Sequence, residues 1–302
     1  MRSEDLFLSE KLVDVRYRFA NTSGRDQTVE VAFPLPDLAP DPYDNEPAPI
    51  SAESPANFLG FATRVDGRPV TARLQLRALK DGKDETTLLT ALKVPLFPWR
   101  KSTKAALQRL APRDLARLVT LGLVEDEADG AQQDDSAGSS IAQRQFRPLW
   151  TLKTTYFWKQ KFAAGHDTII EHKYAPVVGS WVTNLWSQSA NDPQIDNEIA
   201  KQKEKYCVDD AFISTVINRT KIENLGVDSF RSYYLDYVLT TGANWNGPID
   251  DFKMTVDKGA EANLVSFCGK SISRITPTRY QVHYTHFTPT RDVAVLILKA
   301  RP

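Results

Sequence analysis

The sequence has no electrical bias. Its 302 residues carry 38 Lys and Arg against 38 Asp and Glu, a formal net charge of zero. Composition therefore offers no basic surface for tracking nucleic acid or binding an anionic membrane. Long apolar runs are missing too: the longest candidate, Val293–Ala300, is far short of the roughly 20 residues that cross a bilayer as a helix, so no transmembrane segment is expected. The opening "MRSEDLFLSE" is charged within its first five residues and has no apolar stretch of about 7 to 15 residues, so it is not a secretory signal. Read literally, this start places the chain in the cytoplasm; a chain beginning inside a longer protein would open the same way. Cysteine is scarce. Cys207 and Cys268 are too few for a four-thiolate zinc site, and their spacing leaves open two buried thiols or one disulfide.

Catalytic signatures are equally sparse. No G-x-S-x-G elbow occurs, and neither cysteine has a histidine beside it in sequence. "CGKS" at 268–271 ends like a phosphate-binding loop, but a Walker A motif needs a glycine five residues before Gly269, and position 264 is leucine. The pairs Asp209-Asp210 and Asp250-Asp251 are adjacent, so regular structure sends their side chains apart. His283 and His286 form H-x-x-H inside an alternating segment, where an offset of three puts them on opposite faces of a strand. His166 falls in an expected turn, and His172 shares a face with Ile170 and Tyr174, as a core histidine would. Six acids within residues 125–135 lack the spacing and glycine of an EF-hand loop. No cofactor and no metal are expected, and an enzyme is not favoured.

Apolar periodicity is abundant, and most of it has a period of two. Val13, Val15, Tyr17 and Phe19 alternate with charged residues; "ANTSG" follows, then Val29, Val31 and Phe33, predicting a hairpin. A second hairpin is expected around Asp66-Gly67, and a third turning at Ala163–Asp167. Further strands are expected at Tyr233–Thr240, Phe252–Val256, Leu264–Phe267 and Tyr280–His286, and "VAVLIL" at 293–298 suits a strand buried on both faces. Helical spacing occurs in "STKAALQRLAPRDLARLVTLGLV", with Ser102 as candidate cap and Pro112 dividing two short helices, and in "DPQIDNEIAKQKEKYCVDDAFISTVINR".

The fold class expected is mainly β: two β-sandwich-like parts with short α-helical insertions. The boundaries are 1–124 for the N-terminal part, 125–145 for an acidic mobile loop or linker, and 146–302 for the C-terminal part. A faint repeat of hairpin, proline and "VDG" or "VDKG" motivates that division.

Five of the six tryptophans, Trp150, Trp158, Trp181, Trp186 and Trp245, lie from residue 150 onward. Buried indoles fill cores, whereas exposed ones stack on sugar faces or peptide side chains. Trp245 stands apart because it sits in the loop "TTGANWNGPIDDF", residues 240–252. Gly242 and Gly247 are free to take positive φ, Pro248 stiffens the exit, and Asn244 and Asn246 can bond nearby backbone. The candidate ligand-binding residues are Trp245, Asn244 and Asn246, with Trp181 and Trp186 beside them.

The segments "MRSEDLFLSEKLVDVRYRFANTS", "VAFPLPD", "WTLKTTYFW", "EHKYAPVVG", "LTTGANWNGPIDDFKMTVDKG", "VSFCG" and "FTPTRDVAVLIL" together resemble a bacterial family known only as a domain of unknown function, the forty-four twenty-four domain. Its members look like exported proteins with a signal peptide and a β segment ahead of "SEDLF", which this sequence does not show. The resemblance implies no activity. It does imply an extracytoplasmic protein, periplasmic or secreted, whose signal peptide is absent here, and hence an oxidising compartment in which Cys207 and Cys268 are disulfide-bonded. The function expected is a non-enzymatic binding or envelope-associated module for a polysaccharide, peptide or protein. The alternative is a hydrolase of envelope or extracellular polymers.

Overall fold

Alternation decides the strands. In Ser3–Leu8 (β1) and Val13–Ala20 (β2) it puts Glu4, Leu6 and Leu8 on the same sheet face as Val13, Val15 and Phe19, with Leu6 opposite Val15 and Leu8 opposite Val13, and these are the buried positions. The computed structural model describes residues 1–40, 57–126, 145–182, 193–222 and 230–300. The chain is mainly β and folds as two compact units. The first comprises Met1–Glu30, Ala48–Ala72 and Trp158–Pro302, the second Val31–Pro47 and Arg73–Phe157.

The first unit holds an eight-stranded sheet. Its centre is β1, paired antiparallel with β2 and parallel with Ile249–Asp257 (β14). Outside β14 lie Arg279–Phe287 (β17) and Ser273–Arg274 (β16); outside β2 lie Asp167–Tyr174 (β11), Ala62–Val65 (β4) and Arg68–Val70 (β5). A four-stranded sheet of Val178–Val182 (β12), Phe230–Tyr237 (β13), Val293–Ala300 (β18) and Leu264–Phe267 (β15) belongs to the same unit. Helices Pro193–Tyr206 (α4) and Asp210–Ile222 (α5) cover β18 through Tyr206, Val216, Leu296 and Leu298. β18 is buried on both faces, with Val295, Leu296, Ile297 and Leu298 at most 1% exposed, as its unbroken apolar run requires.

The second unit contains Arg73–Lys80 (β6), Lys83–Asp84 (β7), the pair Val124–Asp126 (β8) with Phe146–Pro148 (β9), and the helices Thr86–Ala91 (α1), Lys101–Gln108 (α2) and Pro112–Thr120 (α3). Strands Gln27–Pro34 (β3) and Thr151–Phe162 (β10) pair with each other in a sheet with β6 and β7. Leu89, Leu107, Leu118, Phe146 and Trp150 form this unit's core, and the Trp150 indole donates to the Leu96 carbonyl at 2.8 Å.

The turn at Asp66-Gly67 is a two-residue hairpin with φ of 49° and 76°, the doubly positive turn that suits strand twist. The other two expected hairpins are not hairpins. β2 is flanked by β1 and β11, whereas β3 pairs with β10; β10 and β11 likewise lie in different sheets. Both edges of β2 are already taken, so residues 21–26 and 163–166 carry the chain from one sheet to another, side by side. They bond through Asn21 N to His166 O at 3.2 Å and Gly165 N to Asn21 O at 3.0 Å. The Asn21 carboxamide holds this double corner. It donates to the carbonyls of Arg25 and Phe162, both at 2.9 Å, and accepts from Ser23 N and Oγ at 3.0 and 2.7 Å. Asn21→Ala is expected to lower stability by about 1 to 3 kcal/mol, read as a shifted urea midpoint; an unmoved midpoint would show that the corner is held by other groups.

Pro112 opens α3, as expected, but Ser102 caps nothing: α2 starts at Lys101 behind an extended Arg100, and Ser102 lies inside the helix. Glu125 and Asp126 belong to β8, where Glu125 pairs with Arg147; the rest of the expected acidic loop, 127–144, lies outside the described residues. Helix α1, six residues long, carries too little periodicity to read from sequence.

Candidate functional site

The loop after β13 is fixed at its entrance by a carboxylate. Asp292 Oδ1 accepts from Leu239 N at 3.0 Å, Thr240 N at 2.9 Å and Thr240 Oγ1 at 2.7 Å. Thr240–Asn244 then forms one turn of 3-10 helix, Trp245 is extended, and the exit passes through Gly247 at φ 85° and Pro248 into a fully buried Ile249. Only Gly247 takes the positive φ expected of both glycines. Gly242 does not, and it is buried: a methyl there would lie in ordinary contact with Ile249 Cδ1 and Pro289 Cγ at 3.4 Å and Glu4 Oε2 at 3.8 Å.

Trp245 is half-buried. Its ring lies 4.2 Å from that of Phe19 on β2 and 6.0 Å from that of Phe162 at the end of β10, and those two phenyl rings meet edge to face at 5.9 Å. The indole thus stands on a buried aromatic pair and forms one wall of a groove of about 410 Å³. Asn21, Ser23, Asn246 and the exposed Arg2–Asp250 ion pair, 3.1 Å long, complete its border. An aromatic face with amides and hydroxyls around it suits a ligand that is flat and apolar on one side and hydroxylated at its edge.

Under the loop lies a buried carboxyl that belongs to no sequence motif. Glu4 is 2% exposed; Tyr237 donates to its Oε1 at 3.3 Å, and the hydroxyls of Tyr237 and Tyr17 are 2.6 Å apart. Burial pushes the Glu4 carboxyl up to about 8, against the weaker opposite pull of the Tyr237 bond, so it is protonated at neutral pH. Burial raises the Tyr237 and Tyr174 hydroxyls as well. The signal for Glu4 was its phase: it alternates with Leu6 and Leu8, the residues that make β1 a core strand.

His172 is the core histidine its position suggested. It is 2% exposed, has Nδ1 3.1 Å from Thr63 Oγ1, and stacks on Phe61 at 5.1 Å with Trp158 edge-on at 5.3 Å. Burial lowers its pKa to about 3. His283 and His286 are both exposed; His286 has a φ of 51°, which breaks the regular alternation of β17 there, and His283 pairs with Asp251 across the β14–β17 ladder.

Of the expected ligand-binding residues, Trp245 and Asn246 border one groove. The side chains of Asn244 and Trp181 and the whole of Trp186 lie outside the described residues. Cys207 and Cys268 are disulfide-bonded, with Cα atoms 5.0 Å apart.

A family model described as Domain of unknown function (DUF4424) matches residues 1–296. The chain belongs to this family. The "TTGANWNGPI" loop of this DUF4424 chain is therefore inside the matched region, as are both cysteines. No curated protein matches it. Among solved structures it is similar to a protein from Legionella pneumophila described as a "putative nutrient binding protein", with 16% identity and a TM-score of 0.47. The alignment covers 98% of the DUF4424 chain and 66% of the Legionella chain.

Proposed function

We propose that the protein is a non-enzymatic binding module working outside the cytoplasm, and that the groove beside Trp245 receives a polysaccharide. One observation carries the reading: an indole left half-exposed although two phenyl rings stand beneath it, on a loop tied at its entrance by Asp292. A platform already fixed in shape loses little entropy when a sugar ring stacks on it. The disulfide supports the compartment, because such bonds persist where thiols are oxidised. Glu4, the carboxyl with a raised pKa, is walled in by Tyr17, Tyr237 and the loop itself, and serves the fold.

A glycan and peptidoglycan binding screen tests this, run beside a hydrolase panel. Trp245→Ala is expected to abolish binding to the glycan found while lowering stability by about 1 to 3 kcal/mol, less than the roughly 3 to 5 of a fully buried tryptophan. A stable variant that binds normally would refute the site. Turnover of a polymer by the parent protein would replace the binder with a hydrolase.

A further inference from the structure

We infer that the first unit carries a second binding site, for an acyl chain ending in an anionic group, in the cavity bordered by β14, β17 and β18. This does not rest on the reading of the Trp245 groove.

The cavity measures about 440 Å³. Its floor is Leu239, Phe252, Met254, Val282 and Val293, none more than 8% exposed. The cavity is half open to solvent, like the groove beside Trp245 and of similar volume, and small-molecule sites span about 300 to 1,000 Å³. Among the described residues no asparagine or glutamine lines it, in contrast to the groove beside Trp245 with Asn21 and Asn246. A sugar or a peptide would find too few partners for its polar groups and would be penalised for burying them. An unbranched apolar body would not, and Met254 adapts to such a shape.

The charge at the border selects the head group. Asp292 Oδ1 is already engaged by Leu239 and Thr240, and Arg291 Nη2 donates to the carbonyls of Glu204 and Lys205 at 3.3 and 3.1 Å. Lys270, exposed beside them, brings the border of Lys270, Arg291 and Asp292 to a net positive charge.

The wall carrying Lys270 is fixed in place. Tyr284 Oη accepts from Lys270 N at 2.6 Å and donates to Lys270 O at 3.1 Å, and Cys268 is bonded to Cys207. Gly269 has no room for a side chain, because a methyl there would be 2.9 Å from Val282 Cγ1. Ser271 and His286, each next to a lining residue in sequence (Lys270 and Phe287), hold positive φ of 54° and 51° although neither is glycine. Such conformations cost energy, persist only where surrounding structure enforces them, and concentrate at ligand clamps and other functional sites.

The test is fluorescence titration of the full chain with 11-(dansylamino)undecanoic acid. Saturable binding is expected, with displacement either by palmitate or by phosphatidylglycerol vesicles; the first assigns the chain to a free fatty acid, the second to a membrane lipid. Val293→Phe should fill the cavity and abolish the signal. Because that variant can also disturb folding, Lys270→Glu, at the surface, is the second arm. It should weaken the carboxylate probe by roughly threefold to tenfold and leave its methyl ester unaffected. Failure of the parent to saturate, displacement by neither competitor, or equal binding of acid and ester by the parent and Lys270→Glu would overturn the proposal.

Discussion

Stability against pH is expected to show a plateau with a fall on either side, set by two buried groups that titrate in opposite senses. Glu4 has a folded pKa of about 8 against an ordinary 4.5. Between those values the folded state keeps a proton that the unfolded state has lost, so its contribution is complete below 4.5 and is lost as pH rises through 8. His172 is the reverse, about 3 against 6.5. Its contribution is complete above 6.5 and is lost as pH falls through 3. From 4.5 to 6.5 the two slopes cancel. Above 6.5 only Glu4 acts, and below 4.5 only His172 does, so each limb should fall by about 1.4 kcal/mol per pH unit, roughly 2 kcal/mol between pH 6.5 and 8. Asp84, held at about 2 by bonds from Thr86 and Arg77, adds to the acid limb alone. Glu4→Gln keeps an acceptor for Tyr237 and removes the titration. Urea unfolding at pH 6 and pH 8.5 should then show the alkaline loss in the parent and not in the variant. An equal loss in both would locate the sensitivity elsewhere.

Removal of the disulfide is expected to have an effect of similar size. Cys207 and Cys268 are separated by 61 residues in sequence, and a cross-link closing a loop of that length stabilises by about 4 kcal/mol in the chain-entropy model. Cys207→Ser with Cys268→Ser should lower the stability from urea unfolding by about that amount and the melting temperature by roughly 10 °C, at about 2 to 4 °C per kcal/mol for a protein of this size. The bond joins the residue after α4 to the residue after β15. Its loss should therefore also admit proteases near Cys268 before they reach β18. Two titratable thiols in the denatured, unreduced protein would end the assignment at once.

Much of this fold could be read from period two. β15 lies where the alternation put it, β18 is the doubly buried strand its composition demands, and the Asp66-Gly67 hairpin follows from two residues that tolerate positive φ. Pairing could not be read. "ANTSG" and "AAGHD" look like hairpin turns because a local pattern says where a strand stops, not which sheet the next one joins. That choice depends on β1 and β11 having already taken both edges of β2. The candidate site was legible to the same depth. Trp245 was visible as an aromatic in a rigid loop, but Phe19 and Phe162, which set its exposure, sit 226 and 83 residues away (245 − 19 and 245 − 162). Beyond its phase, nothing local distinguishes Glu4 from other acids near the start of the chain, because the tyrosines that enclose it come from β2 and β13.

The parallel pairing of β1 with β14 has a consequence for synthesis. Ser3 faces Asp251, so the central strand of the largest sheet lacks one neighbour until about five-sixths of the chain has left the ribosome. At roughly 5 to 20 residues per second this wait is on the order of tens of seconds, during which β1 offers an open edge bearing Leu6 and Leu8. Contacts so distant along the chain also make closure slow once it can begin. The nascent polypeptide thus spends most of its elongation without its main sheet.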